Sequence, residues 1–229
     1  SATINLLEAA KSYGVKDFIF ASTSSVYGLS EEMPFTEDTP IDSTISTYSS
    51  TKRACELLCH TYHKLYGIRF RVLRFFTVYG PYDRPDMALQ KFTRAIMNDE
   101  PITVYNYGKH RRDFTYIDDI VEGIIRTVNR PSPPNPNWDS NNPDPATSSA
   151  PYRVYNIGNN NPVELMDYIE ALEISLGKKA EKELLPLQPG DVPDTFADVN
   201  DLITEFNYKP NTSVTDGVNN FVSWYKEFR

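Results

Sequence analysis

Apolar residues along this chain fall into short continuous runs alternating with helical stripes. Leu6, Leu7 and Ala10 share one face of a predicted helix over residues 3–13, which Gly14 stops. A compact apolar run then predicts a buried strand over 17–21. The spacing of Ala54, Leu57, Leu58, Thr61 and Leu65 predicts a helix over 48–66 with those residues on its buried face, ending at Gly67. Next come a strand over 69–75, a helix over 87–98, and a helix running to Val128 that Asp118 or Asp119 can cap. A strand over 152–157 and a helix over 162–176, with Pro162 near its first turn, follow. Residues 201–203 and 214–228 are helical in pattern, and no internal repeat is visible. Strand alternating with helix implies parallel strands joined by helical crossovers, a doubly wound α/β sheet.

Residues 131–151 break the pattern. Rich in Pro, Asn, Ser and Asp, they predict an exposed loop with no buried core of its own, most simply a tolerated surface insertion. The whole chain has 229 residues, 40% of them apolar, enough for a sizeable core. A net charge of −8 and a pI near 5.0 argue against a general nucleic-acid binder. No apolar run approaches the ~18 residues that span a bilayer, and no signal peptide is visible. The expectation is a cytoplasmic protein with neither membrane nor nucleic acid as partner. Two cysteines make no disulfide framework. Cys55, Cys59 and His63 fall at i, i+4 and i+8 with His60 nearby, but structural zinc sites usually draw ligands from turns as well. A packed helix face without metal is expected there.

The chemistry-bearing pattern is Tyr48-Ser49-Ser50-Thr51-Lys52. Tyr48 and Lys52 fall one helical turn apart on one face. A free phenol, with a pKa near ~10, is a poor base at neutrality, and an ammonium one turn away favours the phenolate. Upstream, Ala21-Ser22-Thr23-Ser24-Ser25-Val26-Tyr27-Gly28 ends an apolar strand in hydroxyls, which offers a second hydrogen-bonding group for the same substrate oxygen. Together these read as the proton-handling half of a hydride-transfer enzyme. The same spacing recurs from Tyr105 to Lys109. There Ile102-Thr103-Val104 reads as a strand ending in a turn at Gly108, where side chains four apart do not stack.

Phe18 to Gly28 followed by Tyr48-x-x-x-Lys52 resembles the extended short-chain dehydrogenase/reductases that act on nucleotide sugars, the NAD-dependent epimerase/dehydratase family. The likeness continues through Leu73-Arg74-Phe75-Phe76-Thr77-Val78-Tyr79-Gly80-Pro81 and Arg84-Pro85-Asp86-Met87-Ala88. It extends to Arg111-Arg112-Asp113-Phe114-Thr115-Tyr116-Ile117-Asp118-Asp119 and Pro189-Gly190-Asp191-Val192, and so covers nearly the whole chain. Within the family the chain is most similar to the UDP-glucuronate 4-epimerases. The resemblance implies a Rossmann-like NAD-binding domain over 1–80, with returns near 115–130 and 152–160. A smaller C-terminal α/β domain over 81–229 would hold the nucleotide sugar. No Gly-x-Gly-x-x-Gly occurs, and the family's first strands, pyrophosphate turn and acidic ribose ligand have no counterpart. The expectation is a fragment of a longer product or a natural truncation.

The implied reaction is NAD-dependent 4-epimerisation of a UDP-sugar through a transient 4-keto intermediate, with UDP-glucuronate and UDP-galacturonate as the expected pair. Tyr48 with Lys52 would handle the proton of the sugar 4-hydroxyl; Thr23 would bond the same oxygen, with Ser25 beside it. Ala21, Ser22, Tyr48, Lys52, Phe75 and Val78 are the implied NAD contacts. Thr77 and Arg84 are assigned to the sugar carboxylate, Arg112 to the diphosphate and Asp191 to the uridine ribose. A guanidinium fork suits a carboxylate, yet Arg84 can equally be a surface charge paired with Asp83 or Asp86. Lys109 and Arg111 read as solvated neighbours, and Gln188 stands where several relatives carry a second diphosphate arginine. Ser24 and Ser25 occupy the place of an Asp–Glu acid–base pair in related dehydratases, and serine cannot exchange a proton near neutrality as a carboxyl can. Epimerisation is therefore preferred to elimination. An epimerase for a neutral UDP-hexose and a non-catalytic nucleotide-sugar binder remain open alternatives. A homodimer through the Tyr48 helix and its neighbour is also implied.

Overall fold

The computed structural model describes residues 2–228. In chain order the first elements are α1 (Ala2–Ser12), β1 (Asp17–Thr23), α2 (Thr47–Tyr66), β2 (Arg69–Phe75) and β3 (Thr77–Tyr79). Then come α3 (Ala88–Met97), β4 (Ile102–Val104), β5 (Arg111–Arg112), β6 (Phe114–Tyr116), α4 (Ile117–Val128) and β7 (Tyr152–Ile157). The last are β8 (Val163–Glu164), α5 (Leu165–Leu176), β9 (Lys182–Leu184), β10 (Asp194–Thr195), α6 (Asn200–Phe206) and α7 (Val214–Phe228). They form two compact units. One comprises the described part of Ser1–Phe76 with Glu122–Ile157 and Ala197–Lys209; the other comprises Thr77–Val121, Gly158–Phe196 and Pro210–Arg229 as far as residue 228. The first boundary falls between Phe76 and Thr77. The return of 197–209 to the first unit had no signal in the sequence.

The first unit is built on a parallel sheet of order β1-β2-β7. Parallel neighbours require a crossover, and α2 supplies the one from β1 to β2. Both faces of the sheet are covered at β2 and β7, as a doubly wound fold requires, whereas Ala21 of β1 is exposed. Tyr152 and Val154 of β7 join a core with Leu7 and Ala10 of α1, Cys55, Cys59 and Tyr62 of α2, and Phe70 and Val72 of β2. On the opposite face the Tyr155 ring lies 5.1 Å from Phe206 of α6. Ile157 there sits against Gly123 of α4, close enough to contact an added Cβ. Each fully buried large apolar side chain contributes about 1.5–3 kcal/mol, so this run of core positions explains why the strands read as continuous apolar segments.

Three expectations need correcting. Helix α2 does not bury Ala54, Leu57, Thr61 and Leu65: Leu57 and Leu65 are 52% and 65% exposed, and only Leu58 packs partly on the core. The sheet-facing stripe is Cys55, Glu56, Cys59, Tyr62 and His63. Its polar members find partners inside, so hydropathy chose the wrong face. In α1, Leu7 and Ala10 are buried but Leu6 is 60% exposed, since consecutive helical residues point about 100° apart. Residues 131–151 are mostly exposed, but Ser132, Ala146 and Ser148 are buried. Ser132 Oγ donates to Phe70 O, Val154 N donates to Ala146 O at 2.8 Å, and His63 Nε2 meets Ser148 Oγ at 2.9 Å. Those contacts moor the segment to β2, β7 and the C-terminal half of α2.

The second unit packs α3, α5 and α7 around short paired strands. β3 pairs with β6, β4 with β9, and β5 lies between β10 and β8. Its core is aromatic: Phe114 stacks on Tyr168 at 4.0 Å, and Tyr79 meets both edge-on. Gly217 of α7 is required by this packing, because a Cβ there would stand 2.1 Å from the Tyr79 hydroxyl oxygen. Asp118 and Asp119 fall within the first turn of α4 rather than before it, and Asp119 Oδ2 accepts from Thr212 N.

Candidate active site

Ligands of open parallel sheets bind beyond the carboxyl ends of the strands, and the hydroxyl run lies there. β1 ends at Thr23, which caps a short helical turn over Ser24–Tyr27. Thr23 Oγ1 accepts from Ser25 N and donates to Ser25 Oγ, both at 3.2 Å. The chain leaves that turn through Gly28 at φ +56, where a Cβ would come within 2.0 Å of Ser43 O. Ser46 then caps α2 through a capping box: its Oγ accepts from Ser49 N, and its own N–H donates to Ser49 Oγ. This start puts Tyr48 in the first turn, 54% exposed, and Lys52 one turn later. Lys52 Nζ donates to Ala21 O at 2.9 Å and lies 5.9 Å from the centre of the Tyr48 ring. Tyr48, Lys52, Ala21 and Thr23 therefore belong to one local arrangement of helix and strand end.

Beneath it runs a polar network that the motifs did not announce. Ser22 turns its hydroxyl inward and donates to Glu56 Oε1 at 2.5 Å. Arg74 faces Ser22 across the β1–β2 register and holds both Glu56 oxygens, from Nε and Nη2, at 3.1 Å each. Its Nη1 donates to the Tyr27 hydroxyl and to Glu37 O. Tyr27 in turn donates to Asn156 Oδ1 at 2.6 Å, while Asn156 N donates to Glu37 Oε1. Burial pushes the Tyr27 phenol up to about 12 and the Glu37 carboxyl up to about 7. Burial opposes the Arg74 charge, but Tyr27 and Glu56 keep its pKa above the ordinary arginine value. Two signals existed in the sequence: an arginine inside the apolar run Leu73-Arg74-Phe75, and a glutamate one turn beyond Lys52.

In the second unit the remaining candidates are held by local partners. Arg112, on β5, spends Nη2 on Asp191 Oδ1 at 2.9 Å and on Val192 O, and Nη1 on Pro193 O and its neighbour's carbonyl. Asp191 also has His110 Nε2 at 3.4 Å. Burial holds both Arg112 and His110 below their ordinary pKa values. Arg84 is 72% exposed and pairs with Asp86 at 3.2 Å, while its N–H donates to Asp83 Oδ1. Thr77 and Val78 are half-buried on β3, with Thr77 N bonded to Asp113 O. In the first unit Phe75 is half-buried at the end of β2, and Ser25 is exposed. The second Tyr-x-x-x-Lys spacing follows β4 into a turn with left-handed backbone at Asn106 and Tyr107, not a helix. A cavity of about 430 Å³ lies between α3 and β4, lined among others by Lys91, Arg94, Thr103 and Tyr105.

The sequence model of the NAD dependent epimerase/dehydratase family matches residues 1–158. Protein CapI of Staphylococcus aureus is 53% identical over 225 residues, which cover 98% of this chain and 67% of CapI. A probable UDP-glucuronate 4-epimerase of Rhizobium meliloti is 46% identical over 224 residues, covering 97% of this chain and 66% of that protein. The crystal structure of UDP-glucuronic acid 4-epimerase from Bacillus cereus, in complex with UDP-glucuronic acid and NAD, superposes with a TM-score of 0.86 at 35% identity. That match covers 99% of this chain and 67% of the crystallised one. The chain thus spans about two thirds of the length of these relatives.

Proposed function

Because the chain belongs to the NAD dependent epimerase/dehydratase family, we propose that it inverts carbon 4 of a UDP-linked sugar, interconverting UDP-glucuronate and UDP-galacturonate. The observation that carries this reading is the Tyr48–Lys52 pair seated on the hydroxyl-rich end of β1. NAD fits that donor set. Lys52 has three N–H donors and spends one on Ala21 O, which leaves capacity for ribose hydroxyls beside the exposed Tyr48. Ala21, Tyr48, Lys52 and Phe75 would hold the nicotinamide end, and Ser22 would do so through its main chain, because its hydroxyl is committed to Glu56. When bound, NAD supplies reversible hydride acceptance.

The chain's own residues handle the proton. Tyr48 takes it from the sugar 4-hydroxyl as the carbon becomes a ketone, and returns it when the inverted alcohol forms. Thr23, whose hydroxyl already turns toward Ser25, bonds the same oxygen and orients it. Ser24 and Ser25 carry no carboxyl, so elimination of water has no acid–base pair at that strand end. Arg84 and Thr77 take the sugar carboxylate. Arg112 takes the diphosphate by exchanging the carbonyls of Val192 and Pro193 for phosphate oxygens, and Asp191 takes the ribose.

A second copy of the chain covers the exposed apolar face of α2, where Leu57 and Leu65 lie, in a homodimer. Among the described residues no helix is long and apolar enough to cross a membrane, and we place the protein in the cytoplasm. Proton NMR of UDP-glucuronate incubated with the protein and NAD tests the substrate. The UDP-galacturonate anomeric signal is expected; conversion of neutral UDP-hexoses alone would overturn the uronate assignment.

A further inference from the structure

Tyr48 and Lys52 stand on a helix and Thr23 on a strand, so their mutual geometry depends on how α2 is fastened to β1. Two fasteners join adjacent strand residues to successive helical turns. Lys52 Nζ bonds Ala21 O at 2.9 Å, and Glu56 Oε1 accepts from Ser22 Oγ at 2.5 Å. One bond alone would let the helix roll about its axis; two, a turn apart, fix rotation and translation together.

The second fastener is anchored more deeply than the first. Arg74 grips both oxygens of Glu56 from the neighbouring strand, and Arg53 Nη1 stands 3.6 Å from Glu56 Oε2 on the helix itself. Through Tyr27, Arg74 also holds the short turn that begins at Ser24. Ser22, Tyr27, Glu56, Arg74 and Asn156 are all 4% exposed or less, so none of them meets a substrate. A buried ion pair contributes little stability beyond what apolar packing would give. What a bidentate guanidinium–carboxylate pair does supply is direction, because its planar fork allows one mutual orientation.

We propose that Glu56, held by Arg74 and itself holding Ser22, is the positioning residue that sets the Tyr48–Lys52 pair against Thr23 for proton transfer. This rests on the epimerase reading of that pair. Ser22→Ala is the variant of choice, since it cuts the helix–strand bond and leaves the Glu56–Arg74 pair whole. Two readouts go together. In turnover, kcat falls by roughly 10–100-fold with KM for the UDP-sugar unchanged. Without substrate, backbone amide hydrogen exchange along residues 48–56 of α2 is faster in Ser22→Ala than in the parent.

Thermal unfolding establishes that each protein is folded at the assay temperature. Equal exchange in parent and variant overturns the proposal whatever the activity. A protein that turns over no UDP-sugar but shows the faster exchange upholds the fastener and defeats the epimerase reading instead.

Discussion

Glu56 with Arg74 in the first unit and Arg84 with Asp86 in the second hold charge in opposite ways. In the first, Glu56 and Arg74 are wholly buried and joined by two hydrogen bonds of 3.1 Å. In the second, Arg84 lies in the open beside Asp86, and Arg112 spends its nitrogens on Asp191 and on backbone carbonyls of 192–193. Removing one partner from the buried pair strands a charge away from water, whereas an exposed pair exchanges partners at little cost. The contrast separates side chains that fix a geometry from side chains available to an incoming anion. It also matches the proposed division of labour, with proton chemistry on rigid supports and ligand anchoring on exchangeable ones.

The largest effect expected from breaking this contrast is in Arg74→Ala, which leaves Glu56 buried without its partner. A loss of about 3–5 kcal/mol in urea unfolding is expected, and a loss no larger than that of an exposed pair would erase the distinction. Glu37 sharpens the same point through pH. Its carboxyl sits at about 7 in the folded protein against an ordinary 4.5, because burial disfavours the charge. A raised folded pKa means the stabilising contribution is full below about 4.5 and is lost as pH rises through about 7, a change of roughly 3 kcal/mol.

Glu37→Gln removes that dependence, so the stability of the variant relative to the parent should rise across this window and level off above it. Measuring the difference cancels the opposite trend from His63, which burial holds down at about 4 and whose contribution fades as pH falls from 6.5. A flat difference would show that Glu37 is solvated. The smallest stability effect belongs to Arg84→Ala, within about 0.5 kcal/mol, because its ion pair is exposed. Its kcat/KM for UDP-glucuronate should nevertheless fall roughly tenfold or more, as loss of a charge-assisted hydrogen bond costs about 1.5–3 kcal/mol. Undiminished use of the uronate would favour the neutral-hexose alternative.

Much of this was legible in residue order. β1, β2 and β7 read as apolar runs because they pack into the core they share with α1 and α2, and α2 announced its end in Gly67, whose left-handed backbone closes the helix. The Tyr48–Lys52 geometry followed from spacing alone. What stayed hidden is the set of polar residues buried on purpose-built partners. Glu56 and His63 made the inward face of α2 look like its outward one, and their partners Arg74 and Ser148 lie 18 and 85 residues away. The two-residue strands β5, β8 and β10 were illegible for a related reason: they are too short to show a period and exist only through one another's hydrogen bonds.

The proposed reaction depends on Tyr48 to move the proton at sugar oxygen 4. Its most direct test follows UDP-galacturonate formation from UDP-glucuronate and NAD by proton NMR, in the parent and in Tyr48→Phe side by side. The expected result is conversion by the parent and a rate roughly 10²–10⁴-fold lower without the phenolic oxygen. A Tyr48→Phe protein that epimerises at the parent's rate would contradict the account.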